Sequence, residues 1–108
     1  MASEVLKLAT FRGDANSVQA LLTVGAGTTV TVLSVIICET GAVAETFDLL
    51  IDDAGGNDTY LYKVQALAAN ATFEHTSKFV MEETDHLSIQ TASTSNIDVC
   101  VSYLLQTL

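Results

Sequence analysis

The chain contains no proline and no tryptophan, two cysteines, two histidines and four basic residues, Lys7, Arg12, Lys63 and Lys78. Each scarcity excludes something. Four basic against thirteen acidic residues leave a net charge of −9. Such a surface repels phosphate backbones and anionic lipid, so neither nucleic acid nor membrane is an expected partner. A Ser or Cys nucleophile would need His75 or His86 as its base, oriented by a carboxylate. The acidic neighbours Glu74 and Asp85 are adjacent in sequence, and adjacent strand residues point to opposite faces. Catalysis is therefore not expected, and no Cys–His cluster has zinc spacing. The start, Met-Ala-Ser-Glu-Val-Leu-Lys-Leu, lacks the basic-then-apolar pattern of a secretory signal. No window approaches eighteen uninterrupted apolar residues. Without a secretory signal, Cys38 and Cys100 read as reduced, buried small hydrophobes, although a bridge would be possible if their strands were neighbours.

What the chain has in quantity is β-branched sequence. Thr28 to Cys38 (Thr-Thr-Val-Thr-Val-Leu-Ser-Val-Ile-Ile-Cys) is the longest such run. Val, Ile and Thr are stiff at the first side-chain torsion and pack well on a pleated surface, so it reads as a strand. Alternation holds to Val32 and then fails. On straight period-two counting Leu33, Val35 and Ile37 share one face, while Ser34, Ile36 and Cys38 share the other. A strand apolar on both faces is covered on both. One cover is the domain's own core; the other is expected to be a second subunit. Leu33, Val35, Ile36 and Ile37, with the apolar end Leu104, Leu105 and Leu108, are the expected self-interface. The expected assembly is a homo-oligomer, tightening with salt as screening weakens the repulsion between acidic copies.

The other strands are expected over Glu4–Arg12, Val18–Val24, Ala44–Asp52, Tyr60–Leu67, Thr72–Thr76, Lys78–Met81, His86–Thr91 and Ile97–Leu105. Phe47, Leu49 and Ile51 give the cleanest inward set. Residues 66–71 read as one helical turn or a small-residue corner. Eight or nine short strands at regular spacing, with no long helical pattern, predict one all-β domain over 1–108. The expected form is an antiparallel two-sheet sandwich of jelly-roll or immunoglobulin-like kind. The Asp52–Asp58 loop is oxygen-rich, but it lacks the alternating acids and distal glutamate of an EF-hand, so it reads as a solvated hairpin tip. The sequons at Asn57 and Asn70 read as chance matches. Tyr60 and Tyr62 are expected on one strand face. They are the possible ligand-facing pair if the domain is a carbohydrate-binding module, though packing is the plainer role.

The order of features resembles a known family. A Gly25-Ala26-Gly27 corner leads into the Thr28–Cys38 strand and Glu39-Thr40. Next comes a hairpin ending in Tyr60-Leu61-Tyr62. Residues 79–93 (Phe-Val-Met-Glu-Glu-Thr-Asp-His-Leu-Ser-Ile-Gln-Thr-Ala-Ser) then lead into Ile97–Tyr103. This resembles small β-sandwich virion proteins of tailed bacteriophages, found as head decoration (cement) proteins or as neck and tail components. Gly25 stands where that family usually has proline, Glu39 where it has asparagine and Thr84 where it has glycine. The resemblance implies a structural, non-enzymatic role in the virion, assembled in the host cytoplasm. It further implies no cofactor, and partnership with copies of itself, as a trimer, and with other virion proteins such as the major capsid protein.

Overall fold

A computed structural model describes residues 3–53, 55–94 and 96–107. Nine strands run in the order β1 (Ser3–Asp14), β2 (Gln19–Thr23), β3 (Thr28–Glu39), β4 (Glu45–Asp52), β5 (Asp58–Leu67), β6 (Thr72–His75), β7 (Phe79–Met81), β8 (His86–Thr91) and β9 (Asn96–Thr107). Among the described residues there is no helix. Residues 66 and 67 end β5, and residues 68–71 are a corner, closed by Ala71 N–H donating to the Ala68 carbonyl at 3.0 Å.

Every strand pair is antiparallel, and five of the seven pairings are nested. The β4–β5 hairpin lies innermost. Around it β3 pairs with β6 and β7, β2 with β8, and β1 with β9. A long hairpin of this kind, wound over on itself, deals its strands alternately into two sheets. One sheet runs β1-β9-β3-β6, with β7 also on β3, and the other runs β2-β8-β4-β5. That order is a jelly roll, with β6 and β7 as one interrupted strand.

The core lies between the sheets. Val30, Val32, Val35 and Ile37 from β3 and Ile97, Val99 and Val101 from β9 meet Phe47 and Leu49 from β4 and Leu87 and Ile89 from β8. Each strand reaches this layer by alternation, so its other residues face outward. The period on β3 is broken once. Its register against β9 slips between Val32 and Ser34, leaving Leu33 as an extra residue. Such a bulge turns the subsequent residues over. Val32 and Val35 therefore face the same way, and the straight-count assignment of faces is corrected. Val35 and Ile37 have no exposed surface and belong to the chain's own core, so they cannot be partner contacts.

Thr84 and Glu39 each fix the chain at a connection. Thr84 stands in the tight turn after β7 with φ of 75°. Its N–H donates to the Val24 carbonyl at 3.0 Å. Glycine would occupy that left-handed conformation freely; a β-branched residue there costs about 1–2 kcal/mol. Glu39, at the end of β3, is 1% exposed. Its Oε2 accepts from Gly41 N–H at 2.9 Å, and its Oε1 accepts from Val43 N–H at 3.1 Å and Asn70 N–H at 3.2 Å. One carboxylate thus fixes the connections on both sides of the β3–β6 pair.

Candidate interaction surface

The β5 strand decides whether the two tyrosines act together. Its register against β4 slips twice. Leu49 stands opposite Tyr62, and its neighbour Leu50 stands opposite Tyr60. Leu61 and Tyr62 both oppose Leu49 and pack toward the core, which sends Tyr60 to the outer face. The Lys63 ammonium sits 4.2 Å from the Tyr60 ring centre. The shared face expected for Tyr60 and Tyr62 is therefore corrected, and the two rings do not form one platform. Asp48 holds the irregular segment: its Oδ1 accepts from Val64 N–H at 2.8 Å and its Oδ2 from Lys63 Nζ at 3.2 Å. The hydrogen bond from Lys63 to Asp48 raises the lysine pKa above its ordinary value.

Tyr62 instead joins a row of rings that closes one flank of the sandwich. Phe47 meets Phe73 at 5.1 Å, Phe73 meets Tyr62 at 4.8 Å, and His75 lies 5.5 Å from both Tyr62 and Phe79, all edge-on. His75 is buried, with Nε2 2.7 Å from the Ser77 carbonyl and Nδ1 2.8 Å from the Tyr62 hydroxyl. The carbonyl can only accept, so Nε2 donates to it, and Nδ1 shares the remaining hydrogen bond with the Tyr62 hydroxyl. Both ring nitrogens are thus engaged in packing contacts. His86 is half-buried, with Nδ1 2.9 Å from the Thr23 hydroxyl.

The acidic hairpin tip is closed on itself. Asp53 Oδ1 accepts from Asn57 N–H at 3.1 Å and from Gly55 N–H at 2.8 Å. These N–H donors, Asn57 first, hold the Asp53 pKa below the usual carboxylate value. Among the described residues no group of three or more His, Cys, Asp or Glu is placed to hold a metal ion.

The feature left over is the outer face of the β1-β9-β3 sheet. Leu6 pairs with Leu104, Leu104 with Thr31, and Thr31 with Val80, so one row crosses four strands. Leu6 is 72% exposed and Val80 59%. The next row carries Leu8, 61% exposed, opposite Ser102. The bulged Leu33 joins Leu6, Leu8 and Ser102 around a shallow groove. Further along, Ile36 is exposed and stands opposite Cys100. Both thiols are free. Cys100 is exposed and Cys38 half-buried, which corrects their expected burial. The cause is register: Ile97, Val99, Val101 and Tyr103 take the core side of β9, so Cys100 faces out.

Of the expected self-interface, then, Leu33, Ile36 and Leu104 lie on this outer face. Leu105 packs against the core, and Leu108 lies outside the described residues. Leu6, Leu8 and Val80 join the face without having been expected there. Their signal is present in β1, where Thr10 and Arg12 share the parity of Leu6 and Leu8 and mark that side as the wet one.

No protein-family model matches the chain, and no curated protein sequence matches it. Solved structures do. A chain from the disulfide-linked pili of Bacillus endospore appendages superposes with TM-score 0.63 at 10% identity, covering 100% of this chain and 91% of that one. A chain from the acid-stable capsid of Helicobacter pylori bacteriophage KHP30 superposes with TM-score 0.59 at 14% identity, covering 100% and 94%. A chain from the VP2 subviral particle of infectious bursal disease virus gives TM-score 0.53 at 11% identity, and there this chain spans 36% of its counterpart. At these identities the likeness is one of fold. The chain is a jelly-roll-like sandwich.

Proposed function

We propose that the protein is a non-enzymatic structural subunit of a bacteriophage virion, acting as a decoration (cement) protein on the outer surface of the head. The observation that carries this reading is the set of exposed apolar side chains Leu6, Leu8, Ile36 and Val80, with the half-buried Leu104, on the outer face of the β1-β9-β3 sheet. Monomeric proteins seldom expose contiguous apolar area of this kind unless it is an interaction site. The fold it sits on recurs in the phage capsid and pilus chains, and the resemblance in sequence adds the tailed-phage head and neck. The partners proposed are copies of this chain and the major capsid protein. A sheet face that contacts a lattice at many equivalent places needs only modest affinity at each.

The test is immunogold labelling of intact particles from a lysate in which the protein is produced. Label over the head exterior is the expected result. Label confined to the neck or tail would move the protein to those components. Absence from both intact and disrupted particles would overturn the virion reading. A companion variant, Leu6→Asp with Leu8→Asp, is expected to keep its fold and lose particle labelling.

A further inference from the structure

The edges of the two sheets are not alike. A free sheet edge offers unpaired N–H and C=O groups to any passing strand, and proteins blunt such edges with short strands, bulges or proline. Three edges here are blunted. β6 and β7 are four and three residues long. β2 has five residues and a register shift. β5 has two irregularities and a residue, Val64, at φ of 52°. β1 is different: twelve residues, no proline, and unbroken register against β9 from Ser3 to Asp14. Among the described residues it pairs with β9 alone.

We infer that the free edge of β1 pairs antiparallel with β1 of a second copy of this chain, about a two-fold axis through Leu8. Three constraints set the register. Along an antiparallel edge, residues whose backbone groups point outward alternate with residues whose groups point back at β9. Opposite residues must therefore share parity, which also keeps the two outer faces on one side. Among the registers of even offset, one places Glu4 opposite the partner's Arg12 at both ends. The same register sets Leu8 against the partner's Leu8, Leu6 against the partner's Thr10, and the exposed Val5 against the partner's Phe11. A shift of two residues one way puts Lys7 on the partner's Lys7; a shift the other way puts Glu4 on the partner's Asp14.

Charge supports a copy as the occupant. β1 carries Glu4, Lys7, Arg12 and Asp14 and is neutral, in a chain of net charge −9. Two of the four basic residues stand on this one strand. It is thus an element that two acidic copies can bring together with least repulsion. Among the described residues the ion pair present within the chain is Lys63–Asp48, which leaves the Arg12 guanidinium available, across from Asp98 on β9. An isologous pair closes after two chains and consumes both free edges, so it does not propagate into fibres. The inference is independent of the virion reading, and its test uses the purified protein alone.

Sedimentation equilibrium is expected to show a dimer whose affinity falls about tenfold in Glu4→Arg and in Arg12→Glu, because each variant sets two like-charge pairs opposite. The double variant is expected to return within about threefold of the original. In a Cys38→Ser, Cys100→Ser background, mild oxidation is expected to link copies of Leu8→Cys, since opposed Cα atoms at about 4.5–5.5 Å suit a disulfide. Leu6→Cys, facing threonine, is expected to stay unlinked. Glu4, Leu6, Leu8, Arg12 and Cys100 are exposed and Cys38 is half-buried, and circular dichroism checks that the sandwich is retained. A monomer at every concentration overturns the inference. So does a double variant no better than the singles, or cross-linking at Leu6 in place of Leu8.

Discussion

Glu39→Ala is expected to lower folding stability by about 3–5 kcal/mol. The side chain is 1% exposed and accepts at least three backbone N–H groups, from Gly41, Val43 and Asn70. A bond to a charged acceptor contributes about 1.5–3 kcal/mol, and a donor left without a partner costs about 1–3 kcal/mol. Two connections are anchored by the one group, so both loosen together. Against a typical total stability of about 5–15 kcal/mol, this is a large share. Glu39→Gln keeps the shape and one acceptor oxygen, and is expected to recover part of the loss. Urea unfolding checks both. A loss below about 1 kcal/mol for Glu39→Ala would mean that water reaches the three donors.

Phe47→Ala is expected to cost about 3–5 kcal/mol, the range for removing a fully buried ring. Phe47 is 1% exposed and sits on β4, in the middle of its sheet. It is the buried end of the edge-on row that continues through Phe73, Tyr62 and His75. Its loss removes both the transfer energy of the ring and the pair contact with Phe73, which adds about 0.5–1.5 kcal/mol in comparable pairs. Phe47→Leu is expected to cost clearly less, because most of the volume stays filled. If the alanine variant unfolds at the same urea concentration as the original, the ring does not sit in the core.

The sandwich was legible in the sequence because alternation survives in most strands. Phe47, Leu49 and Ile51 on β4, and Ile97, Val99 and Val101 on β9, take the faces their spacing implies. The outer faces were read less well, and the reason is one kind of event. A bulge carries no fixed residue signature when the extra position is not glycine, and the extra residues behind the two misreadings here are Leu33 and Leu61. Each turns over the stretch of strand beyond it. One slip moved Val35 and Ile37 from the suspected partner face into the core; the other separated Tyr60 from Tyr62. The surplus of apolar residues on β3 does mark a second apolar face, but its location comes from β1 and β7 as much as from β3. Edge status was not legible at all. It depends on which strand lacks a neighbour, and that is a property of the winding.

The winding has a further consequence in time. Ser3 pairs with Thr107, so the outermost strand pair joins the two ends of the described chain. During synthesis β4 and β5 can meet as soon as their turn is made. β1 must wait for about a hundred further residues before β9 is complete, or about 5–20 s at 5–20 residues per second. For that interval both its edges are bare, the one meant for β9 and the one that faces outward. Topologies of this kind fold slowly because distant segments must be brought together before their contacts repay the cost. Refolding yield is therefore expected to fall as chain concentration rises, and a yield independent of concentration would show that β1 is shielded while it waits. Production of many copies at once thus places its heaviest demand on the strand that waits longest for its partner.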